Sequence, residues 1–468
     1  MNSRKLLIIG ILIGIIIIPF IIFAVGVLRR PPQSLPSVTL SVWMVEDEEE
    51  ALAPIMNAYA NVHRNVKFSV TVQRAETYSQ ELRDAWAKGA GPDIFTIPAT
   101  WAGQYEDFIT PLPAVMRVPY YEDRKFLWKT DSVIEFRNDA GLTVRNVQEQ
   151  FVDAVAKMVV RQEEIYGLPL AMDTLVLYYN RDLLNSAQIP TPATTWQGLV
   201  SQIEQTQQLS VIDQTGALIQ SAVALGTAEN IPNATDILAL LMMQNGTLMT
   251  DETERTITFN KTLSEGFSPG AEASRFYTDF ARIGKSAFSW NDDQANALDA
   301  FINGNLVYFI GYGAHAAEIE RRAGTLNWGM SEMLHVHDDG TDNFQQRQRL
   351  QINMPNYWMW SVAKQSEEPA LAWSFIQYAA NAGRVPSYLE KTGKISALRT
   401  VLEQQVNDPN LSILARQALS ARHWYYGENA VQTETLLKDF IDNINKGIDI
   451  QTALTTTAKQ IQLTFERR

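Results

Sequence analysis

The sequence contains no cysteine. That excludes disulfides, thiolate metal sites and cysteine nucleophiles, and also the lipid-modified cysteine that anchors many bacterial surface proteins. Positive charge is in deficit: 39 Lys and Arg stand against 52 Asp and Glu, a net charge of −13. A surface with that balance does not displace counterions from a polyphosphate, which argues against nucleic acid as a partner and against adsorption to anionic lipid. Charged residues are only 19% of the chain and hydrophobic ones 46%, a globular and not a disordered composition. Phosphate-loop, dinucleotide-loop, nucleophile-elbow and H-E-x-x-H patterns are all missing. Histidine is scarce, and the one metal-like cluster, His335-Val336-His337 with Asp338-Asp339, reads as a polar surface loop. No catalytic residue, metal ligand or cofactor is therefore named. Paired glycosidase carboxylates, whose separation a sequence does not display, stay open.

Long apolar runs are also missing, with one exception. Leu6 to Leu28 is almost unbroken apolar sequence. As a helix of ~23 residues it spans ~34 Å, enough for a hydrocarbon core of ~30 Å. A cleaved signal peptide has a shorter apolar region and a small-x-small exit, for which Ala24-Val25-Gly26 is a poor match. The segment reads as an uncleaved single-pass anchor, with a cleaved signal as the alternative. Residues 1–5 are then cytoplasmic, 29–37 form a Pro-rich tether, and the body lies on the extracytoplasmic side. Flanking charges (Arg4 and Lys5 before, Arg29 and Arg30 after) give that orientation little help.

The body, at 468 residues in all, calls for two or three domains. Val38–Met44 predicts a strand covered on both faces, and the acidic run Glu46–Glu50 opens a helix whose apolar residues are Leu52, Ile55, Met56, Tyr59 and Val62. Val66–Val72 predicts a strand, Tyr78–Lys88 a helix stopped by Gly89 and Gly91, and Asp93–Ile97 a third strand. This β-α-β-α-β order predicts an α/β fold with a mostly parallel sheet, whose ligands bind beyond the carboxyl ends of strands. Further helices are expected at 196–207, 235–244, 271–283, 291–303, 369–381 and 433–446, and strands at 175–179, 306–310 and 357–362. Residues 145–161 and 335–349 are polar enough to be excursions or flexible loops.

Gly91-Pro92-Asp93-Ile94-Phe95 followed by Thr110-Pro111-Leu112, and Tyr166-Gly167-Leu168-Pro169 running into Leu177-Tyr178-Tyr179-Asn180-Arg181-Asp182-Leu183, resemble ordered elements of the extracellular solute-binding proteins, family 1, the broad group of the maltose-binding protein. So do Pro192 and Thr195-Trp196, Phe301–Val307, Ala372-Trp373-Ser374-Phe375-Ile376, and Thr392–Ala397, although Ser396 stands where proline is usual and the stretch 118–149 is longer than typical. The resemblance implies a two-lobed periplasmic-binding-protein-like fold, each lobe a mostly parallel sheet flanked by helices, with the ligand cleft at the hinge. An N-terminal lobe of 38–171 with 352–402 and a C-terminal lobe of 172–351 with 403–468 would follow. It also implies a monomer that carries a mono- or oligosaccharide to the permease subunits of an ABC importer, without being an enzyme. A ligand-sensing module for a signalling protein is one alternative. An iron-binding protein is another, because some relatives bind iron through adjacent tyrosines and this chain has Tyr178-Tyr179 and Tyr425-Tyr426.

Candidate ligand-binding residues follow from the loops at strand ends. Asp173 matches the position where the maltose-binding protein sets a carboxylate against sugar hydroxyls; alternatively it is a hinge residue bonded to backbone amides. Trp43 and Glu46 flank the end of the first strand, and Thr100 and Trp101 lie just past the third. Tyr312 follows another strand, Tyr357 and Trp358 (with Trp360) lie in the return crossing, and Trp424 and Tyr425 precede the last helices. Aromatic faces suit the C–H faces of a pyranose, and Tyr and Trp tips hydrogen-bond. The same residues are also ordinary core material.

Overall fold

The computed structural model describes residues 35–45, 49–126, 129–205, 209–214, 217–263, 266–336 and 351–465. The apolar run 6–28, Glu46 and the His337–Asp339 part of the metal-like cluster lie outside these residues. Among the described residues no helix is long and apolar enough to cross a membrane.

The first lobe is built on β1 (Val38–Val45), α1 (Glu49–Val62), β2 (Val66–Gln73), α2 (Ala75–Ala87) and β3 (Ile94–Pro98). β1 is parallel to β2 on one side and to β3 on the other. Leu40, Val42 and Met44 alternate into the core. α1 buries Ala51, Leu52, Ile55, Met56 and Tyr59, the stripe its spacing predicts, and opens with Glu49 and Glu50. Pro54 inside α1 has no N–H for the Glu50 carbonyl. Lys391 Nζ donates to that oxygen instead, at 3.0 Å. Asp93 ties the sheet together. Its Oδ2 accepts from the Ser41 amide and hydroxyl at 2.9 Å, and its Oδ1 from the Ser366 hydroxyl at 2.7 Å. Gly91 has no substitute, because a Cβ there would lie 2.0 Å from the Trp86 ring.

The long stretch after β3 is a β-ribbon, β4 (Val115–Phe126) paired antiparallel with β5 (Lys129–Ala140) in unbroken register. Tyr121 on β4 accepts a hydrogen bond from the Leu35 amide, so the ribbon stands beside the chain's entry into the first lobe. Residues 145–161, expected as an excursion, are instead two short helices, Val144–Gln150 and Asp153–Val159. The second buries Ala154, Val155, Met158 and Val159, and its charged residues, Asp153 and Lys157, are on its outer side. A two-residue ribbon follows, β6 (Val160–Arg161) and β7 (Glu164–Ile165).

β8 (Ala171–Asn180) then crosses into the second lobe. Its partners come from all over the remaining chain. After β9 (Val211–Ile212), β10 (Leu218–Val223), α3 (Ala234–Gln244) and α4 (Pro269–Asp279) comes β11 (Leu306–Tyr312), which pairs with β8 over Leu175–Tyr179. After α5 (His315–Arg322), β12 (Trp328–Ser331) takes Leu177–Asn180. The return strands β13 (Pro355–Asn356) and β15 (Ile395–Ser396) take Asp173–Thr174 and Ala171–Met172. Between them β14 (Trp358–Val362) joins β3 of the first sheet, antiparallel. α6 (Pro369–Ala379) packs on the first lobe; α7 (Ala430–Asn445) and α8 (Ile450–Gln462) pack with α4 on the second. The expectation of mostly parallel strands describes the first sheet. It is corrected for the second, where only β10 and β11 run parallel. The cause is β8, which enters from the first lobe running against its neighbours. The helix expected at 291–303 forms only over Ala297–Ile302, because Asn230 Nδ2 holds the carbonyls of Asn291 and Gln294 in a turn.

Asp173 sits where β8 changes partners. Its Oδ1 accepts from the amides of Thr174 (2.7 Å) and Gly313 (2.9 Å), and its Oδ2 from that of Ala314 (2.7 Å). It thereby caps the start of α5 from across the crossing. Burial raises its pKa to about 6 against the lowering effect of the three amides and of Lys394. Asn353 stitches the same region: its Nδ2 donates to the Leu175 carbonyl (2.9 Å) and to Gln417 Oε1 (2.7 Å), and its Oδ1 accepts from the Met354 amide (2.7 Å).

Two outcomes are expected. Asn353→Leu strands buried groups on β8 and on Gln417 and costs ~3 kcal/mol in urea unfolding; a loss under ~1 kcal/mol contradicts this role. The raised carboxylate of Asp173 favours folding most below its ordinary value of 3.8 and loses that contribution as pH rises through about 6. Asp173→Asn should therefore flatten the fall of melting temperature between pH 4 and pH 6, read by calorimetry at matched ionic strength; an unchanged slope contradicts it.

Candidate ligand-binding site

A cavity of about 340 Å³ opens where the lobes meet. The first lobe contributes Pro98–Trp101, the loop beyond the carboxyl end of β3. The second contributes Pro232, Asn233, Thr235 and Asp236 at the start of α3, and Tyr312 at the end of β11. The return crossing adds Met354–Tyr357, and the C-terminal segment adds His423–Tyr425 and the first turns of α7. Strand ends and helix starts converge on it, as expected for open α/β sheets.

The apolar wall is aromatic. Trp101 is half-buried and stacked on Tyr105 at 5.8 Å, which fixes its plane. Trp424 is buried edge-on to Phe259 and Tyr425. Tyr357 is held by donating its hydroxyl to the Ala154 carbonyl at 2.9 Å and meets the His423 ring edge-on at 5.4 Å. The polar wall is acidic. The Tyr312 hydroxyl donates to Asp236 Oδ2 at 2.7 Å. Water reaches Asp236, but protein surrounds most of it. Burial pushes its carboxyl up to about 6, the Tyr312 hydrogen bond pulls it down, and Glu434 pushes it up further. His423 is held neutral by burial, its pKa lowered to about 3. Its Nε2, like Asn233 Nδ2, has no partner among the described residues. Two buried polar atoms of cavity-lining residues thus lack, among the described residues, the hydrogen bonds such groups ordinarily have.

At the rim the lobes touch closely. Arg161 Nε donates to Glu106 Oε2 at 2.8 Å, while its Nη atoms reach the Tyr426 carbonyl (3.4 Å) and Glu428 (3.3 Å). A Cβ on Gly103 would come within 2.4 Å of the Gly427 carbonyl. Lys157 and Glu254 pair nearby at 2.8 Å.

Of the residues chosen from sequence, Thr100, Trp101, Tyr312, Tyr357, Trp424 and Tyr425 line this cavity. Asp173 and Trp358, with Tyr357, line a smaller recess of about 40 Å³ beside Lys394. Trp43 lines neither: it is half-buried on β1, where alternation gives the inward positions to Val42 and Met44. Glu46 is outside the described residues. The Tyr425 hydroxyl donates to Thr464 Oγ1 (2.8 Å) and accepts from the Asn429 amide (2.8 Å), so that side chain offers the cavity its ring. Each adjacent tyrosine pair has a hydroxyl committed internally. Tyr178 donates to the Tyr312 and Gly313 carbonyls, and Tyr426 to the His423 carbonyl. Among the described residues no group of three or more His, Asp or Glu is placed to hold a metal. Sequence reasoning missed Asn233, Asp236, His423 and Glu434. The first two carried a usable signal, an Asn–x–x–Asp helix start after a strand; His423 and Glu434 carried none.

Residues 55–412 match the family described as bacterial extracellular solute-binding protein. Among curated proteins, the galactooligosaccharide-binding protein of Bacillus subtilis (strain 168) is 24% identical over 157 residues. That is 34% of this chain and 31% of the relative, so the match spans about a third of the curated relative's length. Solved structures agree over far more of the fold. An ABC transporter solute-binding protein from Thermotoga lettingae, bound with alpha-D-tagatose, superposes with TM-score 0.66 at 15% identity, covering 92% of this chain and 100% of that one. A cyclo/maltodextrin-binding protein complexed with maltotetraose gives 0.67 at 16%, covering 93% and 100%. A maltose-binding periplasmic protein from Listeria monocytogenes gives 0.65 at 16%, covering 91% and 97%. The family match takes in well over half of the chain, and this protein belongs to the bacterial extracellular solute-binding proteins.

Proposed function

We propose that this protein is the extracytoplasmic capture component of an ABC importer and that it takes a mono- or oligosaccharide by closing its lobes over it. The observation that carries this reading is the cavity between the sheets, lined by the aromatic residues Trp101, Tyr357 and Trp424 together with polar groups that are acidic or have no partner among the described residues. That combination suits a molecule with apolar C–H faces and a rim of hydroxyls. The ligands named for several similar proteins, galactooligosaccharide, tagatose and maltotetraose, are of this kind. In this reading the N-terminal lobe comprises 38–171 with 352–402 and the C-terminal lobe 172–351 with 403–468, and closure turns on the crossing segments. The chain works as a monomer, binds without chemistry, and presents its closed form to permease subunits. Residues 6–28 anchor it, with 29–37 as tether and 1–5 in the cytoplasm, a reading that rests on the length of the apolar run.

Thermal-shift titration of the full-length chain in detergent tests capture. A sugar at ~100 times its dissociation constant should add ~2.7 kcal/mol of stability, a shift of a few degrees. Trp101→Ala should weaken that ligand by ~10-fold or more while leaving the unliganded melt nearly unchanged. If mono-, malto- and galacto-oligosaccharides all leave the melt unmoved, or if a bound sugar is consumed on incubation, the reading fails.

A further inference from the structure

The cavity wall is rich in acceptors and holds no cation. Among the described residues no lysine or arginine lines it, and its charge comes from Asp236 and Glu434. Lys438 pairs with Glu434 at 3.0 Å but is not part of the lining. Among the described residues, Asp236 has the Tyr312 hydroxyl as its hydrogen-bond partner and no ion-pair partner. His423, 9% exposed, lines the same cavity, and its Nε2 has no partner among the described residues. As a neutral imidazole it accepts at Nε2 in one of its two tautomers.

We propose that the ligand is an amine-bearing saccharide whose ammonium group is held by Asp236, and that sugars carrying a carboxylate or phosphate are rejected. This inference rests on the saccharide reading above and narrows it. An ammonium is three donors and a positive charge on one atom, which matches an acceptor wall with an uncompensated carboxylate. The first turns of α3 and α7 also face the cavity, and each contributes roughly half a positive charge. Asp236 stands in the first turn of α3 with a full negative charge and no ion-pair partner among the described residues, whereas Lys438 offsets Glu434, so the wall keeps its negative sign at Asp236. The raised pKa of Asp236 agrees: what its surroundings supply does not repay the loss of water. An anionic sugar would add a second buried charge of the same sign, with no Lys or Arg on the lining to receive it. Asn233 Nδ2 supplies the donor that a neighbouring hydroxyl requires.

Calorimetric titration of the full-length chain in detergent decides this with near-isosteric pairs. The probes are glucosamine and its β-1,4-linked disaccharide, glucose and cellobiose, and cellobiose bearing a terminal uronate. The amine-bearing member of a pair should bind at least ~10-fold more tightly than its hydroxyl counterpart, and the uronate should not bind measurably. Asp236→Asn should erase the difference within the pair, while Tyr312→Phe, which keeps the carboxylate, should retain it. Equal or tighter binding of glucose or cellobiose, or binding of the uronate, overturns the inference and leaves saccharide capture standing. Failure of every probe to bind a chain that melts cooperatively overturns the inference, and saccharide capture falls with it only where malto- and galacto-oligosaccharides leave the melt unmoved as well.

Discussion

The pairing of β8 is the constraint on which the rest of the molecule depends. Within ten residues this strand is hydrogen-bonded to β15, β13, β11 and β12 in turn. A slip of one residue would move every side chain to the opposite face, and Leu175, Val176, Leu177 and Tyr178, all fully buried, would lose their packing. The first half of β8 pairs with return strands and the second half with the second lobe. Any relative motion of the lobes must therefore be absorbed near Asp173 and Thr174, between those two sets of partners. Asn353 and Asp173 fasten that point with side-chain bonds to backbone, which limits motion to a hinge and prevents separation.

The cavity inherits its chemistry from this arrangement. Because β3 and β11 end at the same gap, Thr100 and Trp101 beyond β3 and Tyr312 at the end of β11 all line it. The helix that follows β10 brings Asn233 and Asp236 to the same place. Elsewhere, large polar side chains near the cavity satisfy one another: Tyr425 with Thr464, Tyr178 with the Tyr312 carbonyl. Asn233 and His423 do not, and a polar atom left without a partner in a protein that could have supplied one marks a place where a ligand can supply it.

Much of the fold was legible because it is local. The spacing of Leu52, Ile55, Met56 and Tyr59 dictates α1, and Gly91-Pro92-Asp93 has its physical reason in the Trp86 ring and the three bonds to Asp93. What the sequence concealed was set by distant partners. Residues 144–159 look polar through Arg145–Gln150, yet nine of the sixteen are apolar and they form two short helices packed on the core. The second sheet turned antiparallel because of where β8 enters. In the site, aromatics in strand-end loops were found by rule, and six of the ten chosen residues reached the cavity. Trp43 followed the same rule and did not, because alternation along β1 decides which way it faces. His423 and Glu434 come from segments that only tertiary packing brings to the cavity.

Asp173 and Asp236 show why geometry assigns roles that residue type does not. Both are carboxylates at the junction of the lobes, and burial raises both to about 6. An ionised carboxylate has roughly four lone-pair sites. On Asp173 three are taken by the amides of Thr174, Gly313 and Ala314, and its recess of about 40 Å³ leaves little room for more. On Asp236 one is taken, by Tyr312, and the adjoining space is more than eight times larger. Of these two carboxylates, acceptor capacity and volume coincide at Asp236. The family's resemblance drew attention to Asp173, whose carboxylate is largely filled by backbone amides. The carboxylate with more empty lone pairs, Asp236, is the one we propose for the ligand.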